Sequence, residues 1–358
     1  MLPNQFKEAY YNFSNWHFSL EERANKTNGD EGSLIHLFNS TYPEFVKQIE
    51  KMGLVCSGYD DDTAKACKSY IKESDIYNLF LQSAWYKQII TKPRGYAGDS
   101  TMMEIMYNDQ FEGITPFGKL YTKLANAVEG SQAVRNRRSY LRKKLQKLDS
   151  GKVLSVAAGP ALEIKDCEHK NGLEFLALDH DMETLRRYAP RHNSNFTYGI
   201  CNAFHLMKGQ YGYIIPRKSF AKRANPKADM KGFRKLLMPF RYHMNTLPQE
   251  GFELIYAAGL YDYIYTSDNP SKGSMALTKN LFSLLKPGGQ LIVGNYAPTI
   301  PRGTRWVLEY ICDWNLIYRE DSDLKLFAKG ISEKQIADIK IKSEETGITK
   351  FLHITKTQ

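Results

Sequence analysis

The run Val153-Leu154-Ser155-Val156-Ala157-Ala158-Gly159-Pro160-Ala161, followed twenty residues after Gly159 by Leu178-Asp179-His180-Asp181, decides the fold of this chain. An apolar strand passes into a loop of small residues, where the backbone can approach a ligand closely and Gly159 permits angles that other residues resist. A second short apolar run then ends on an acid. In an open α/β sheet the ligand lies beyond the carboxyl ends of the strands, where the strand order reverses.

Outward from this core the pattern repeats. Residues 153–157, 175–178, 196–200, 252–257 and 290–295 read as five strands separated by helical stretches, the signature of βαβ units and a mostly parallel sheet. Residues 337–343 and 349–355 alternate as a hairpin does, with Glu345-Thr346-Gly347 at the turn. Five parallel strands closed by an antiparallel pair predict an α/β, Rossmann-like class I methyltransferase domain with a seven-stranded mixed sheet over 149–358. Residues 1–148 read as an α-helical N-terminal domain, with helical spacing over 16–26, 33–51, 63–90 and 132–148. Gly- and Pro-containing breaks fall at Gly53, Gly58, 92–99 and 113–118, and Pro43 is tolerable as a kink.

Composition narrows the function class. At 42% hydrophobic and 25% charged the chain is ordinary globular protein. It has no apolar run near the ~18 residues of a membrane span and no export signal at its start. The five cysteines, 56, 67, 167, 201 and 312, are scattered and never spaced C-x-x-C, so neither a disulfide framework nor a metal site is expected, and a cytoplasmic location fits. The net charge of +10 suggests nucleic acid until its distribution is seen. Ten basic residues against the single acid Asp229 fall within 207–247, a basic insertion between strands three and four.

The residues behind successive strands point to S-adenosylmethionine (SAM). Ala157, Ala158, Gly159 and Pro160 form the loop after strand one. Asp179, with His180 beside it, stands where a carboxylate accepts both ribose hydroxyls. After strand three, the amide oxygen of Asn202 can take the adenine amino group, next to Ala203, and Phe204 can pack on its face. After strand four, Ala258, Gly259, Leu260, Tyr261, Asp262 and Tyr263 line the methionine end and the methyl-transfer mouth, and Tyr261, Tyr263 and Tyr265 can present ring faces or hydroxyls to a sulfonium. Lys286-Pro287-Gly288-Gly289 reads as a helix-ending turn before strand five. No GxGxxG and no GxxxxGK[ST] occurs, which disfavours NAD and nucleoside triphosphates.

Two stretches go beyond the generic fold. One is Lys92-Pro93-Arg94-Gly95-Tyr96-Ala97-Gly98-Asp99 with Met102, Met103, Tyr107 and Ala133-Val134-Arg135-Asn136-Arg137-Arg138. The other runs from Ala258-Gly259-Leu260-Tyr261-Asp262-Tyr263 through Gly294-Asn295-Tyr296 and Glu309-Tyr310 to Asp313-Trp314-Asn315-Leu316-Ile317-Tyr318-Arg319. Over roughly residues 75–320 the chain resembles the family associated with biosynthesis of 3-hydroxypalmitic acid methyl ester, a bacterial quorum-sensing signal. The resemblance implies a helical lid over a SAM domain and methyl transfer to a fatty-acid carboxylate. It implies that Arg94 holds the cofactor carboxylate and that Tyr96 closes on the sulfonium or acceptor. The basic insertion, the alanine-rich first loop and the lack of room for a cyclic-nucleotide domain depart from that pattern.

A carboxylate acceptor is ionised at neutral pH and needs orientation rather than a strong base. Tyr263, Tyr96, Asn295 and His205 are the candidates for that role, with Tyr296 and Arg305 as further donors. The acceptor expected is a small fatty or hydroxy acid, free or carrier-bound. Two readings compete: a nucleic-acid methyltransferase that tracks phosphates with the basic insertion, and a SAM-binding protein that transfers no methyl to an external acceptor. The N/D-P-P-Y/F signature of base methylation is missing after strand four.

Overall fold

A computed structural model of the chain describes residues 2–165, 167, 172–188, 195–216 and 242–358. The densest part of the basic insertion, residues 217–241, lies outside the described residues. The chain forms two compact units. One comprises Met1–Asn136, Pro298–Leu316 and Glu345–Ile348; the other comprises Arg137–Ala297, Ile317–Glu344 and Thr349–Gln358.

The first unit is helical: α1 (Asn4–Asn25), α2 (Glu31–Cys56), α3 (Asp61–Glu73), α4 (Ile76–Phe80), α5 (Ala84–Thr91), α6 (Ser100–Asn108) and α7 (Pro116–Ala127). The single helix expected over 63–90 is three, because Ser83 caps α5 by accepting from the Tyr86 amide and Ser74 ends α3 in extended backbone. The expected break at 113–118 is instead a helix start. Thr115 accepts from the Gly118 amide, and Pro116 occupies the first turn, where its missing N–H costs nothing. The segment Pro298–Leu316 belongs here because the helix Arg302–Trp306 meets α2 at backbone distance. A Cβ on Gly53 would lie 2.5 Å from the Arg302 carbonyl, and one on Gly303 would lie 2.6 Å from the Glu50 amide.

The core of this unit is aromatic. His17 is fully buried against Phe13, Phe80 and Tyr121, with Nε2 2.8 Å from the Tyr121 hydroxyl and Nδ1 2.7 Å from the Phe13 carbonyl. Burial drives its pKa from 6.5 down to about 3. Across that window the unfolded chain binds a proton that the folded chain refuses, so stability falls as pH falls, by up to about 1.4 kcal/mol per unit. His353 in the second unit, depressed to about 4 by burial, acts with the same sign. The urea midpoint is expected to drop between pH 7 and pH 5, and His17→Gln to reduce that drop; an undiminished drop would show that His17 titrates normally.

The second unit is a nine-stranded sheet: β1 (Gly151–Val156), β2 (Leu173–Asp179), β3 (Phe196–Ile200), β4 (Gly212–Pro216), β5 (Tyr242–Thr246), β6 (Phe252–Ala257), β7 (Leu285–Tyr296), β8 (Ile336–Ser343) and β9 (Thr349–Lys356), ordered β5-β4-β3-β2-β1-β6-β7-β9-β8. Strands β3, β2, β1, β6 and β7 are mutually parallel, and β9 and β8 close one edge antiparallel. This is the expected Rossmann-like class, with nine strands rather than seven. The additional pair is the antiparallel hairpin β4–β5 beside β3, at the two ends of the basic insertion. Lys286-Pro287-Gly288-Gly289, expected as a turn before a strand, lies inside β7. The strand starts at Leu285 opposite Phe252 and shifts register before Gln290 meets Leu254.

Strand residues sort by parity onto two faces, as the period of two requires. Leu154, Val156, Leu178, Ile255, Leu291 and Val293 pack with Leu277, Leu281 and Phe282 of the helix Gly273–Ser283. Val153, Phe175, Ala177, Tyr198, Leu254 and Tyr256 pack on the other face with Leu141, Leu145, Ile164 and Leu185. Helices on both faces explain why the central strands read as continuous apolar runs. They also direct the ligand-binding crevice to the strand ends, at β1 and β6 where the order reverses.

Candidate functional site

The loop after β1 is held in a form that alanines resist. Ala157 (φ 51°), Gly159 (φ 53°) and Ala161 (φ 48°) all adopt left-handed backbone, at a cost of roughly 1–2 kcal/mol for each alanine. Its amides turn back onto β2. Ala158 N–H donates to the Leu178 carbonyl at 3.0 Å, and Gly159 N–H to Asp179 Oδ2 at 2.8 Å. Space is open where a Cβ on Gly159 would stand, with no atom of the described residues within 4 Å. Tyr198 of β3 donates its hydroxyl to the Gly159 carbonyl from below.

Asp179 is the hub. It is 5% exposed. Its Oδ1 accepts the Asp181 amide at 3.0 Å, and its backbone carbonyl accepts the Cys201 amide at 2.9 Å. Asp179 thus ties together the ends of β1, β2 and β3, through its carboxylate and its backbone carbonyl, and Oδ2 keeps a second lone pair for a ligand hydroxyl. His180 Nδ1 stands 3.3 Å from Asp179 Oδ1, and that hydrogen bond raises the imidazole pKa.

After β3, Asn202 caps the helix Ala203–Met207, its Oδ1 accepting the Phe204 amide at 2.9 Å. The amide oxygen expected to meet a ligand therefore has one lone pair committed to the cap. The cap leaves the Phe204 ring 57% exposed, so it is not core. His205 on the same turn is exposed.

Beyond β6, Ala258, Gly259 and Leu260 are partly exposed and lead into a turn of 3-10 helix, Tyr261–Tyr263. The three tyrosines divide. Tyr261 is fully buried with its hydroxyl 3.0 Å from Thr278 Oγ1, whereas Tyr263 and Tyr265 are 46% and 53% exposed. Asp262 between them is buried, accepts the Tyr296 amide at 2.7 Å, and has its pKa pushed by burial up to about 7, against the pull of Arg137 and Arg319.

Asn295 does not stand open to an acceptor. It is 1% exposed, its Oδ1 accepts from Arg319 at 2.6 Å, and its Nδ2 donates to the carbonyls of Tyr296 and Ile317. Tyr296 is likewise buried, with its pKa raised by burial. Arg305 pairs with Glu309 on the surface of its own helix at 2.7 Å. In the helical unit, Arg94 Nε lies 3.7 Å from Asp99 Oδ2, and Asp99 itself caps α6 and accepts from Gln88. Tyr96, on the same loop, is partly exposed.

The fold thus brings together 157–160, Asp179, His180, 202–204 and 258–260 along adjacent strand ends. Three contributors, Arg137, Arg319 and Tyr198, escaped the sequence reading as site residues. Arg137 lies buried along Gly259, Asp262 and Arg319 support the tyrosine turn, and Tyr198 supports the first loop. Asp262, read with the stretch behind strand four, is buried in the turn five residues past β6.

No protein-family model matches the chain, and no curated protein does. Among solved structures, "a possible exported protein" from Bordetella parapertussis is similar over 90% of this chain and 97% of its own, at 15% identity and a TM-score of 0.50. A TehB-like SAM-dependent methyltransferase from Corynebacterium glutamicum matches 62% of this chain and 88% of its own at 11% identity and TM-score 0.34. The Burkholderia thailandensis 1,6-didemethyltoxoflavin-N1-methyltransferase matches 63% and 79% at 12% identity and TM-score 0.36. Among the described residues no helix is long and apolar enough to cross a membrane. What the chain shares with the Bordetella protein is its fold.

Proposed function

We propose that the chain is a SAM-dependent methyltransferase acting on a small molecule, and that the group methylated is the carboxylate of a fatty or hydroxy acid. The observation that carries the cofactor is Asp179. It is a nearly buried carboxylate at the end of the second strand of a sheet with the methyltransferase strand order, holding the first loop through Oδ2 and its own turn through Oδ1. The open space over Gly159 and the exposed Phe204 ring fit a nucleoside beside it.

In this reading Asp179 takes the ribose hydroxyls, Phe204 covers the adenine, and Asn202 offers the second lone pair of its capping oxygen. When bound, SAM supplies a methyl group on a sulfonium. The half-exposed Tyr263 orients the acceptor carboxylate, which needs no base because it is already ionised. The helical unit, with Arg94 and Tyr96, is the lid of this proposal. The resemblance in 92–99 and 258–319 supports the fatty-acid acceptor and a place in making a methyl-ester signal. Five free, buried cysteines fit a cytoplasmic enzyme.

The test is incubation with labelled SAM and a panel of simple and hydroxy fatty acids, with mass detection of methyl esters. Ester formation is expected, and absence of SAM binding by calorimetry would sink the proposal. Tyr263→Phe is expected to lower kcat roughly tenfold to hundredfold without moving the melting temperature, since the ring is half exposed. Arg94→Ala is expected to reduce turnover more than it disturbs folding. Normal turnover in both variants would refute the acceptor site.

A further inference from the structure

A buried cation occupies the point where the strand order reverses. Arg137 is 7% exposed, and its guanidinium lies along the loop behind β6. A Cβ on Gly259 would stand 2.5 Å from Arg137 Nη1 and 3.2 Å from its Cζ, so only the missing side chain makes room for the fork. On the β1 side stands Glu163, 5% exposed, accepting the Tyr256 hydroxyl at 2.7 Å. On the β6 side stands Asp262. Burial raises the pKa of both acids, and Arg137 lowers both. A guanidinium lying against the loop behind β6 is the planar, always-charged group that pairs with a carboxylate.

We infer that Arg137 binds a ligand carboxylate at this crevice, in a pose that depends on the absence of a side chain at Gly259. The inference rests on the proposed SAM site. It assigns to Arg137 the anion-holding role that the sequence resemblance gives to Arg94. Two ligands bring a carboxylate here: the amino-acid end of the cofactor and the acid to be methylated.

Calorimetry with S-adenosylhomocysteine and with its decarboxylated analogue, together with steady-state kinetics on palmitate, separates these sources. Arg137→Gln is expected to weaken S-adenosylhomocysteine about tenfold to hundredfold and the decarboxylated analogue by less than about threefold. Arg137→Lys should recover part of the loss, because it keeps the charge without the fork. Gly259→Ala tests the same contact with the arginine in place. Gly259 has no left-handed backbone, so alanine is sterically allowed, and its methyl displaces the end of a flexible side chain rather than backbone. It should narrow the preference for the carboxylated ligand in the same direction. If the loss appears instead as a raised KM for palmitate with S-adenosylhomocysteine unaffected, the captured carboxylate is the acceptor's. Equal weakening of both nucleosides, or no change in either with an unchanged palmitate KM, overturns the inference and leaves the cofactor site standing. A wild-type protein that binds neither nucleoside overturns both.

Discussion

Asp179→Ala is expected to abolish measurable cofactor binding, with a loss of about 10²–10⁴-fold. Two hydrogen bonds from ribose hydroxyls to a carboxylate contribute about 1.5–3 kcal/mol each, which spans that range. The structure adds a second cost. Asp179 Oδ2 holds the Gly159 amide and Oδ1 holds the Asp181 amide, and the Gly159 contact restrains a loop in which two alanines sit in left-handed backbone. Without the carboxylate the loop can relax toward ordinary angles, and the space above Gly159 is no longer preformed. Asp179→Asn separates the two contributions, because its amide oxygen can keep one of the backbone contacts while the charge is lost. It should bind about tenfold more weakly than wild type and lose less melting temperature than Asp179→Ala. Calorimetry on both variants checks this; wild-type affinity in Asp179→Ala would remove Asp179 from the site.

The sequence made the central sheet legible because burial on both faces leaves a residue-level trace. Val153 to Val156 and Phe252 to Ala257 are short, largely apolar runs, each with a single polar residue, as strands buried on both faces require. Asp179 was legible for the opposite reason: an acid ending an apolar strand is conspicuous. The hairpin β4–β5 was not legible, although Tyr213-Ile214-Ile215-Pro216 is a short apolar run, because the lysines and arginines that follow dominate any window containing it. Asn295 was misplaced through parity. It shares the face of Leu291 and Val293, so its side chain points into packed protein, and its partner Arg319 lies 24 residues away. Arg137 was hidden among Arg135, Arg138 and Arg142, since a helical periodicity does not say which of several neighbouring arginines is buried. Local chemistry was readable where a residue is unusual for its element. It was unreadable where the partner is distant.

Arg319→Met is expected to destabilise the protein by about 3–5 kcal/mol, a fall of roughly 10 °C in melting temperature for a unit of this size. Arg319 is 3% exposed. Its Nη1 donates to the Tyr261 carbonyl at 2.7 Å and to Asn295 Oδ1 at 2.6 Å, its Nη2 donates to the Ile264 carbonyl, and its guanidinium lies over the Phe327 ring at 5.0 Å. Methionine fills much of the volume but leaves three buried acceptors without this donor, each costing about 1–3 kcal/mol. The same bonds clamp both ends of the turn that carries Tyr263, so turnover should fall beyond what the stability loss accounts for. Asp262 supplies a signature that packing loss alone does not produce. Its folded pKa of about 7 lies above its ordinary 3.8, so in wild type its contribution to stability is lost as pH rises through that window. At pH 5 the Asp262 carboxyl is protonated and loses little when Arg319 goes; at pH 8 it is ionised and loses one of its two buried cations, leaving Arg137. The deficit of Arg319→Met should therefore be larger at pH 8 than at pH 5, and Asp262→Asn in the same background should remove the difference. A deficit independent of pH would mean that Arg319 acts only through the carbonyls it bridges.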